Sequence, residues 1–266
     1  MSKVNRISGK KVVITGASSG IGTDIALEVA KGGGIPILLA RRMSKLEELA
    51  MTIEQDYKVH AYAIPLDVSC EQDVARVFAS IYEQIGEIDV LINNAGFALF
   101  KNAHETTTED VRSMFEVNVF GLIACTTAVL PTMKLKNAGQ IINVASIIGK
   151  IPTPKASTYA ATKHAVLGFT NALRMETSDT NIQITAINPG PVKTEFFNLA
   201  DESGDYTKNI QKMMLDSKTV AKKIVATIGT KKRELNLPRW MGFGGKCYAV
   251  MPTLMEKTLG KRLFQK

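Results

Sequence analysis

Short runs of largely apolar, often β-branched residues alternate along the chain with longer stretches in which apolar positions return every three or four residues. The short runs are Val12 to Thr15, Ile35 to Ala40, Val59 to Ile64, Ile88 to Ile92, Gln140 to Val144, Ile182 to Ile187 and Glu234 to Leu237. Runs of this kind separated by helical stretches predict a parallel sheet covered on both faces. The longest uncharged run, Val117 to Met133, contains Asn118, Gly121 and Pro131. It falls short of the roughly 20 residues of a membrane span and predicts a buried helix. There is no internal repeat, low-complexity tract or Pro/Gly/Ser-rich linker. The pattern therefore predicts one α/β domain, a doubly wound, seven-stranded parallel sheet within 1–238, with an extension, 239–266, packed on it.

Composition narrows this. Hydrophobic residues make up 45% of the 266, enough for a sizeable core and contrary to disorder. Cys70, Cys125 and Cys247 lie far apart, which gives neither a disulfide framework nor a zinc site. His60, His104 and His164 lack ligand spacing and read as surface or packing residues, so no metal is expected. Met1 to Lys11 is polar and basic, unlike a signal peptide, and a cytoplasmic location is expected. The formal charge of +8 is uneven: nine Lys or Arg and two Glu between Gly229 and Lys266 put +7 in the last 38 residues. The body is nearly neutral, so acidic partners concern the tail alone.

Candidate chemistry begins with Thr158-Tyr159-Ala160-Ala161-Thr162-Lys163. On a helix, Tyr159 and Lys163 share a face, and a cation near a phenol favours its ionised form. Tyr-x-x-x-Lys alone is most often a plain surface pair, so its meaning depends on the company it keeps. The first strand runs into Thr15-Gly16-Ala17-Ser18-Ser19-Gly20-Ile21-Gly22 and a helix, a turn in which the backbone can approach a pyrophosphate at a helix N-terminus. The second strand ends in Arg41-Arg42, where a carboxylate would serve an NAD ribose. Guanidinium groups there suit the 2′-phosphate of NADP. One arginine is expected to begin the next helix, and Arg41 is the better phosphate ligand. Asp67, beside Val68, could accept from an adenine amino group or cap the following helix. Asn93-Asn94-Ala95-Gly96 closes the fourth strand, where ligands sit in open α/β sheets.

Taken together these segments resemble the short-chain dehydrogenase/reductase family, over about Lys10 to Thr194. Its glycine motif is matched by Thr15 to Gly22, its Asn-Asn-Ala-Gly by Asn93 to Gly96 and its active-site Asn by Asn118. Its Ser is matched by Ser146, 13 residues before Tyr159, its Tyr-x-x-x-Lys by Tyr159 and Lys163, and its Pro-Gly turn by Pro189-Gly190. The resemblance implies a Rossmann-type fold, NADP(H) as cofactor, and Asn118, Ser146, Tyr159 and Lys163 as catalytic residues. Tyr159 would exchange a proton with the substrate oxygen, Ser146 would hold that oxygen, Lys163 would bind the nicotinamide ribose and lower the Tyr159 pKa, and Asn118 would fix a water in a proton relay. Cofactor contacts are implied for Gly16, Ser18, Ser19, Gly20, Ile21, Gly22, Asp67, Val68, Asn94, Ala95, Gly96, Tyr159, Lys163, Pro189, Gly190, Val192 and Thr194. Some NADP-preferring members carry a basic residue where this chain has Ser19, so the choice of NADP rests on Arg41 and Arg42.

The expected reaction interconverts a carbonyl and an alcohol on an apolar small molecule. Phe97, Ile147 and Ile148, with a mobile lid over Pro191 to Leu215, would surround it. An NADP-binding sensor or scaffold without chemistry, and a reductase of carrier-linked 3-oxoacyl chains, are the competing readings. A homodimer or homotetramer is expected, and nucleic acid is not a partner because no groove-reading motif accompanies the charge. In the tail, Trp240, Phe243, Tyr248, Met251, Met255, Leu259 and Leu263 interleave with Arg239, Lys246, Lys257, Lys261 and Arg262. Such a basic amphipathic segment suits a subunit interface or a cover over the substrate entrance, ahead of peripheral contact with an anionic membrane.

Overall fold

A computed structural model describes residues 6–201 and 204–263, with side chains of the last helix described as far as Lys257. The elements follow in the order β1 (Lys11–Thr15), α1 (Gly20–Lys31), β2 (Ile35–Ala40), α2 (Met43–Tyr57), β3 (Tyr62–Pro65), α3 (Glu71–Gln84), β4 (Val90–Asn93) and α4 (Thr108–Phe115). Next come α5 (Leu122–Lys136), β5 (Gly139–Val144), α6 (Ser157–Glu176), β6 (Ile182–Pro189), β7 (Val192–Lys193), α7 (Phe196–Ala200) and α8 (Asp205–Ile210). The chain ends with β8 (Leu215–Asp216), α9 (Ser217–Val225), β9 (Glu234–Leu237), α10 (Arg239–Val250) and α11 (Pro252–Leu263).

Seven strands form one parallel sheet in the order β3-β2-β1-β4-β5-β6-β9. The chain starts at the centre, winds outward to β3, then crosses to β4 and winds the other way. The reversal leaves a crevice between the ends of β1 and β4. Alternate side chains serve opposite layers, as strand geometry requires. Val12 and Ile14 join Ile25, Val29, Leu46 and Ile224 on one face. Val13 joins Phe78, Ile81, Val129 and Leu173 on the other.

Three features differ from the sequence expectation. Strand β3 begins at Tyr62 rather than Val59, because α2 ends on Lys58 in the left-handed conformation (φ 56°) and the chain pairs with β2 only from Ile37 opposite Tyr62. A two-stranded parallel ribbon, β7 with β8, was not foreseen; two-residue strands carry no period to read. The helix around Val117 to Met133 is longer than its uncharged run. A capping box, in which Thr107 Oγ1 accepts from the Asp110 N–H and the Asp110 carboxylate from the Thr107 N–H, starts it at Thr108. It continues through a π-helical segment, Glu116–Gly121, to Lys136. At 29 residues this helix is long and apolar enough to cross a membrane, yet it lies along the sheet as a core helix, with Asn118 and Thr126 buried.

Polar side chains lock the sheet centre. The Asn93 amide donates to Thr126 Oγ1 and Asn143 Oδ1, both at 2.9 Å, and the Asn143 amide donates to Thr170 Oγ1 at 2.9 Å. One buried chain of hydrogen bonds thus joins α5, β4, β5 and α6, the helix that carries Tyr159.

Candidate active site

The C-terminal ends of β1 to β6 open on a cavity of about 1560 Å3, at the place where doubly wound sheets take ligands. One wall of it is built from backbone. Gly16 has φ +66°, and a Cβ there would lie 2.9 Å from the Ala95 Cα; a Cβ on Gly22 would lie 2.2 Å from the Gly16 carbonyl oxygen. Asn94 stitches the two turns together, donating to the carbonyls of Thr15 at 3.0 Å and Gly16 at 3.3 Å. Thr15 Oγ1 accepts from the N–H groups of Asn94 and Ala95. The first turn of α1 carries no acidic residue, so its amide end attracts an anion.

Of the residues that the sequence assigns to a cofactor, Gly16, Ser18, Ser19, Gly20 and Ile21 line the cavity, as do Arg41, Arg42, Asp67 and Val68. So do Asn94, Ala95 and Gly96, and, across the opening, Pro189, Gly190, Val192 and Thr194. Gly22 lies behind this wall, and its role is to let α1 close on the turn. Arg42 is the N-cap residue of α2 and donates to Ser18, at 3.1 Å to Oγ and 3.3 Å to the carbonyl, which leans its guanidinium over the glycine turn. Arg41 is exposed at the same rim. One Asp67 carboxylate oxygen accepts from the Ser69 N–H and hydroxyl, which closes the turn before α3.

The middle of the cavity lies at the first turns of α6. Tyr159 and Lys163, four residues apart and both buried, line the cavity, with the ammonium 5.7 Å from the Tyr159 ring centre. Lys163 Nζ donates to the Val144 carbonyl at 3.0 Å, and burial brings its pKa down to about 8. Burial pushes the Tyr159 hydroxyl well above the usual phenol range, against a hydrogen bond from Ser146 that works the other way. Desolvation is thus the leading influence on both groups, whereas the sequence led one to expect the ammonium to dominate at Tyr159. Ser146 is held at the end of β5, its Oγ accepting from the Ile148 N–H at 3.1 Å. Asn118 is fully buried behind Gly96 and does not line the cavity. Its amide donates to the Phe97 carbonyl at 2.8 Å and to Thr162 Oγ1 at 3.2 Å, and its Oδ1 accepts from the Phe97 N–H. It ties the loop after β4 to α6, and the π-helical segment supplies the irregular turn that aims it inward. His164 is exposed on another face of α6, with Nδ1 on the Ala160 carbonyl, and does not line the cavity.

The other side of the cavity is aromatic. Phe100 stacks on Tyr206 with ring centres 4.1 Å apart and lies 6.0 Å from Phe197, and Tyr159 lies 6.0 Å from Phe196. Phe97, Ile147 and Ile148 line this end, as the sequence anticipates. The segment from α7 to α8 is fastened down. The Phe100 N–H donates to the Ala200 carbonyl at 2.7 Å, Thr207 donates to Asp201 Oδ2 from both N–H and hydroxyl at 2.7 Å, and the Tyr206 hydroxyl meets Thr153 Oγ1 at 3.2 Å. Sequence reasoning missed Phe100, Thr153, Tyr206 and Met241; the one available signal was an aromatic residue, Tyr206, inside a polar stretch. Trp240 and Met241 from α10 also line the cavity, so the tail borders the opening. Among the described residues no group of three His, Cys, Asp or Glu side chains could hold a metal.

Comparison with known proteins agrees with this geometry. Residues 10–204 match the family model described as short chain dehydrogenase. An NADP-dependent 3-hydroxy acid dehydrogenase of Schizosaccharomyces pombe is 44% identical over 195 residues, 73% of this chain and 75% of that protein. A farnesol dehydrogenase of Aedes aegypti is 32% identical over 236 residues, 86% of this chain and 94% of its own. A short-chain dehydrogenase from Sphingobium yanoikuyae, solved in complex with NADPH, superposes with a TM-score of 0.79 at 28% identity, over 92% of this chain and 96% of that one. A glycine turn stitched to the end of β4, a buried Tyr-x-x-x-Lys on α6 with Ser146 beside it, and a family match over most of the sheet lead to one assignment: the chain is an oxidoreductase of the short-chain dehydrogenase/reductase family.

Proposed function

We propose that this protein is an NADP(H)-dependent oxidoreductase that interconverts a carbonyl and an alcohol on an apolar small molecule. The observation that carries the reading is the convergence of Tyr159, Lys163 and Ser146 at the meeting point of a backbone-lined and an aromatic-lined half of one cavity. The residues present suit the dinucleotide. The crowding at Gly16 and Gly22 forms a cradle that only glycine allows, the α1 N-terminus and Arg42 face it, and Arg41 stands ready for a 2′-phosphate. When bound, the dinucleotide supplies or takes the hydride.

The chain's own groups handle the proton and the orientation. Tyr159, kept protonated by burial, gives its proton to the substrate oxygen in reduction and takes one back in oxidation. Ser146 holds that oxygen. Lys163 places a positive charge beneath the reacting groups and binds the ribose, while Asn118 keeps the Phe97 loop and α6 in fixed relation. The relatives' names point to different substrates, farnesol and a 3-hydroxy acid, and the aromatic lining favours the apolar kind. Phe120, Leu135 and Met175, exposed apolar side chains along the π-helical segment, α5 and α6, support a homodimer or homotetramer. A cytoplasmic location accompanies the reading.

NADPH absorbance with a panel of apolar ketones and aldehydes tests it. Turnover is expected, and Tyr159→Phe is expected to lower it by about 10²- to 10⁴-fold; full turnover by that variant rules the mechanism out. Arg41→Ala is expected to weaken NADPH far more than NADH, and equal losses would show that the 2′-phosphate is held elsewhere.

A further inference from the structure

The last two helices turn outward the side chains that folding normally hides. Helix α10 buries Met241, Gly242 and Gly245. A Cβ on Gly242 would lie 2.5 Å from the Asn236 side chain, and one on Gly245 would lie 3.1 Å from Lys150, whose ammonium pairs with Glu234. That face is therefore fitted tightly to β9. The opposite face carries Trp240, Phe243 and Val250, three and then seven residues apart, at 62%, 71% and 77% exposed. Arg239 and Lys246 flank them, both exposed. Helix α11 is tied to α10 by the Tyr248 hydroxyl, which donates to Glu256 Oε1 at 2.7 Å. The side chains of Leu259 and Leu263, part of the stripe read from the sequence, lie outside the described residues.

Two observations identify what this face meets. The first is charge: among the described side chains of the two helices Arg239, Lys246 and Lys257 are exposed against one carboxylate, Glu256, so a second copy docking about a twofold axis would set like charge against like, whereas an anionic bilayer is complementary. The second is continuity. Trp240 lines the substrate cavity, and so does Leu199 on α7, itself 76% exposed, so the apolar patch runs to the cavity mouth. An indole beside basic side chains is the usual furniture of the headgroup layer.

We infer that α10 and α11 form an interfacial anchor that lays the cavity mouth on an anionic lipid surface, from which a lipophilic carbonyl or alcohol passes to Tyr159. The substrate's chemistry rests on the function proposed above, whereas the lipid contact rests on the surface alone.

Trp240 is the single tryptophan, so its emission reports the contact directly. The full-length protein, without coenzyme, is mixed with phosphatidylcholine vesicles with and without phosphatidylserine and followed by emission and flotation. A blue shift and flotation are expected with phosphatidylserine, at least tenfold weaker without it or in high salt. Lys246→Glu is expected to weaken binding about fivefold or more, since each basic side chain near the surface is worth about that factor. Phe243→Ser should weaken it about tenfold, with turnover of a water-soluble ketone unchanged in both variants. Unshifted emission and no flotation with phosphatidylserine vesicles overturn the inference. So does a Phe243→Ser protein that dissociates in sedimentation while wild-type emission ignores lipid, because the face would then be a subunit contact. Tyr159→Phe should bind vesicles like wild type, so failure of the chemistry and failure of the lipid contact read out separately.

Discussion

On one side of Tyr159 the cavity wall is backbone: the turn after β1, the turn after β4 and the amide end of α1, held by Asn94 and Thr15 at distances that leave no room for a single added carbon at Gly22. On the other side it is side chain: Phe100, Phe196, Phe197 and Tyr206, brought together from three separate stretches and fastened by a few hydrogen bonds. On the proposed function the backbone of the first wall recognises what every dinucleotide shares, with Arg41 and Arg42 at its rim for a 2′-phosphate, and that backbone cannot change without the fold changing. The second can be recut one side chain at a time while the sheet stays as it is, which is how one scaffold comes to serve many substrates.

The sharpest way to break this comparison is Gly22→Ala. The new Cβ meets a carbonyl oxygen rather than a movable side chain, and a loss of about 3 kcal/mol is expected. Phe100→Leu, on the opposite wall, should cost about 1 kcal/mol while changing the KM for apolar ketones. Urea denaturation of both variants tests the pair, and equal midpoints would erase the distinction.

Next in size is Lys163→Met. Burial brings the pKa of this ammonium down from 10.5 to about 8, a desolvation cost on the order of 3 kcal/mol in the folded state. The variant should be more stable than wild type by about 2 kcal/mol, after loss of the bond to Val144, and should be inactive. The unfolded chain binds the extra proton between pH 8 and 10.5, so wild-type stability rises through that window and the advantage of the variant shrinks. A destabilised Lys163→Met protein would mean that the ammonium is a structural tie.

The same group sets a pH limit. Below about 8 Lys163 is charged and Tyr159 protonated; above it the cation is lost first. The kcat/KM for carbonyl reduction should fall by up to about tenfold per pH unit beyond that point, and a level profile to higher pH would detach Lys163 from the reaction. Smallest is Tyr206→Phe, which removes the bond to Thr153 but keeps the stack on Phe100. About 1 kcal/mol is expected, as a KM raised about fivefold with kcat retained, and an unchanged KM would make the fastening irrelevant to substrate.

The same division decides what could be read in advance. Six of the seven sheet strands were placed within a residue or two, β1, β2, β4, β5 and β6 because their apolar runs are buried on both faces and the edge strand β9 by its alternation, and β3 slipped because Lys58 in the left-handed conformation ends α2 late. Glycines and amides of the backbone wall are legible because their backbone geometry admits few substitutes, although sequence could not say that Asn94 stitches the turn while Asn93 belongs to the core. Tyr206 and Thr153 are ordinary residues made important by a meeting across 53 positions. Nor does any local pattern mark the π-helical turn at Asn118, because its cause is tertiary: the amide is gripped on both sides by Phe97 and by Thr162.

That turn has a consequence for chain length. Between Glu116 and Gly121 the helix holds one residue more than its ladder of bonds requires, so a deletion of one amino acid there would heal the helix instead of breaking it. Asn118 or its successor would then rotate off the Phe97 loop. The product would be a regular, well-formed protein without a working centre, an outcome that screens for solubility or heat resistance would reward.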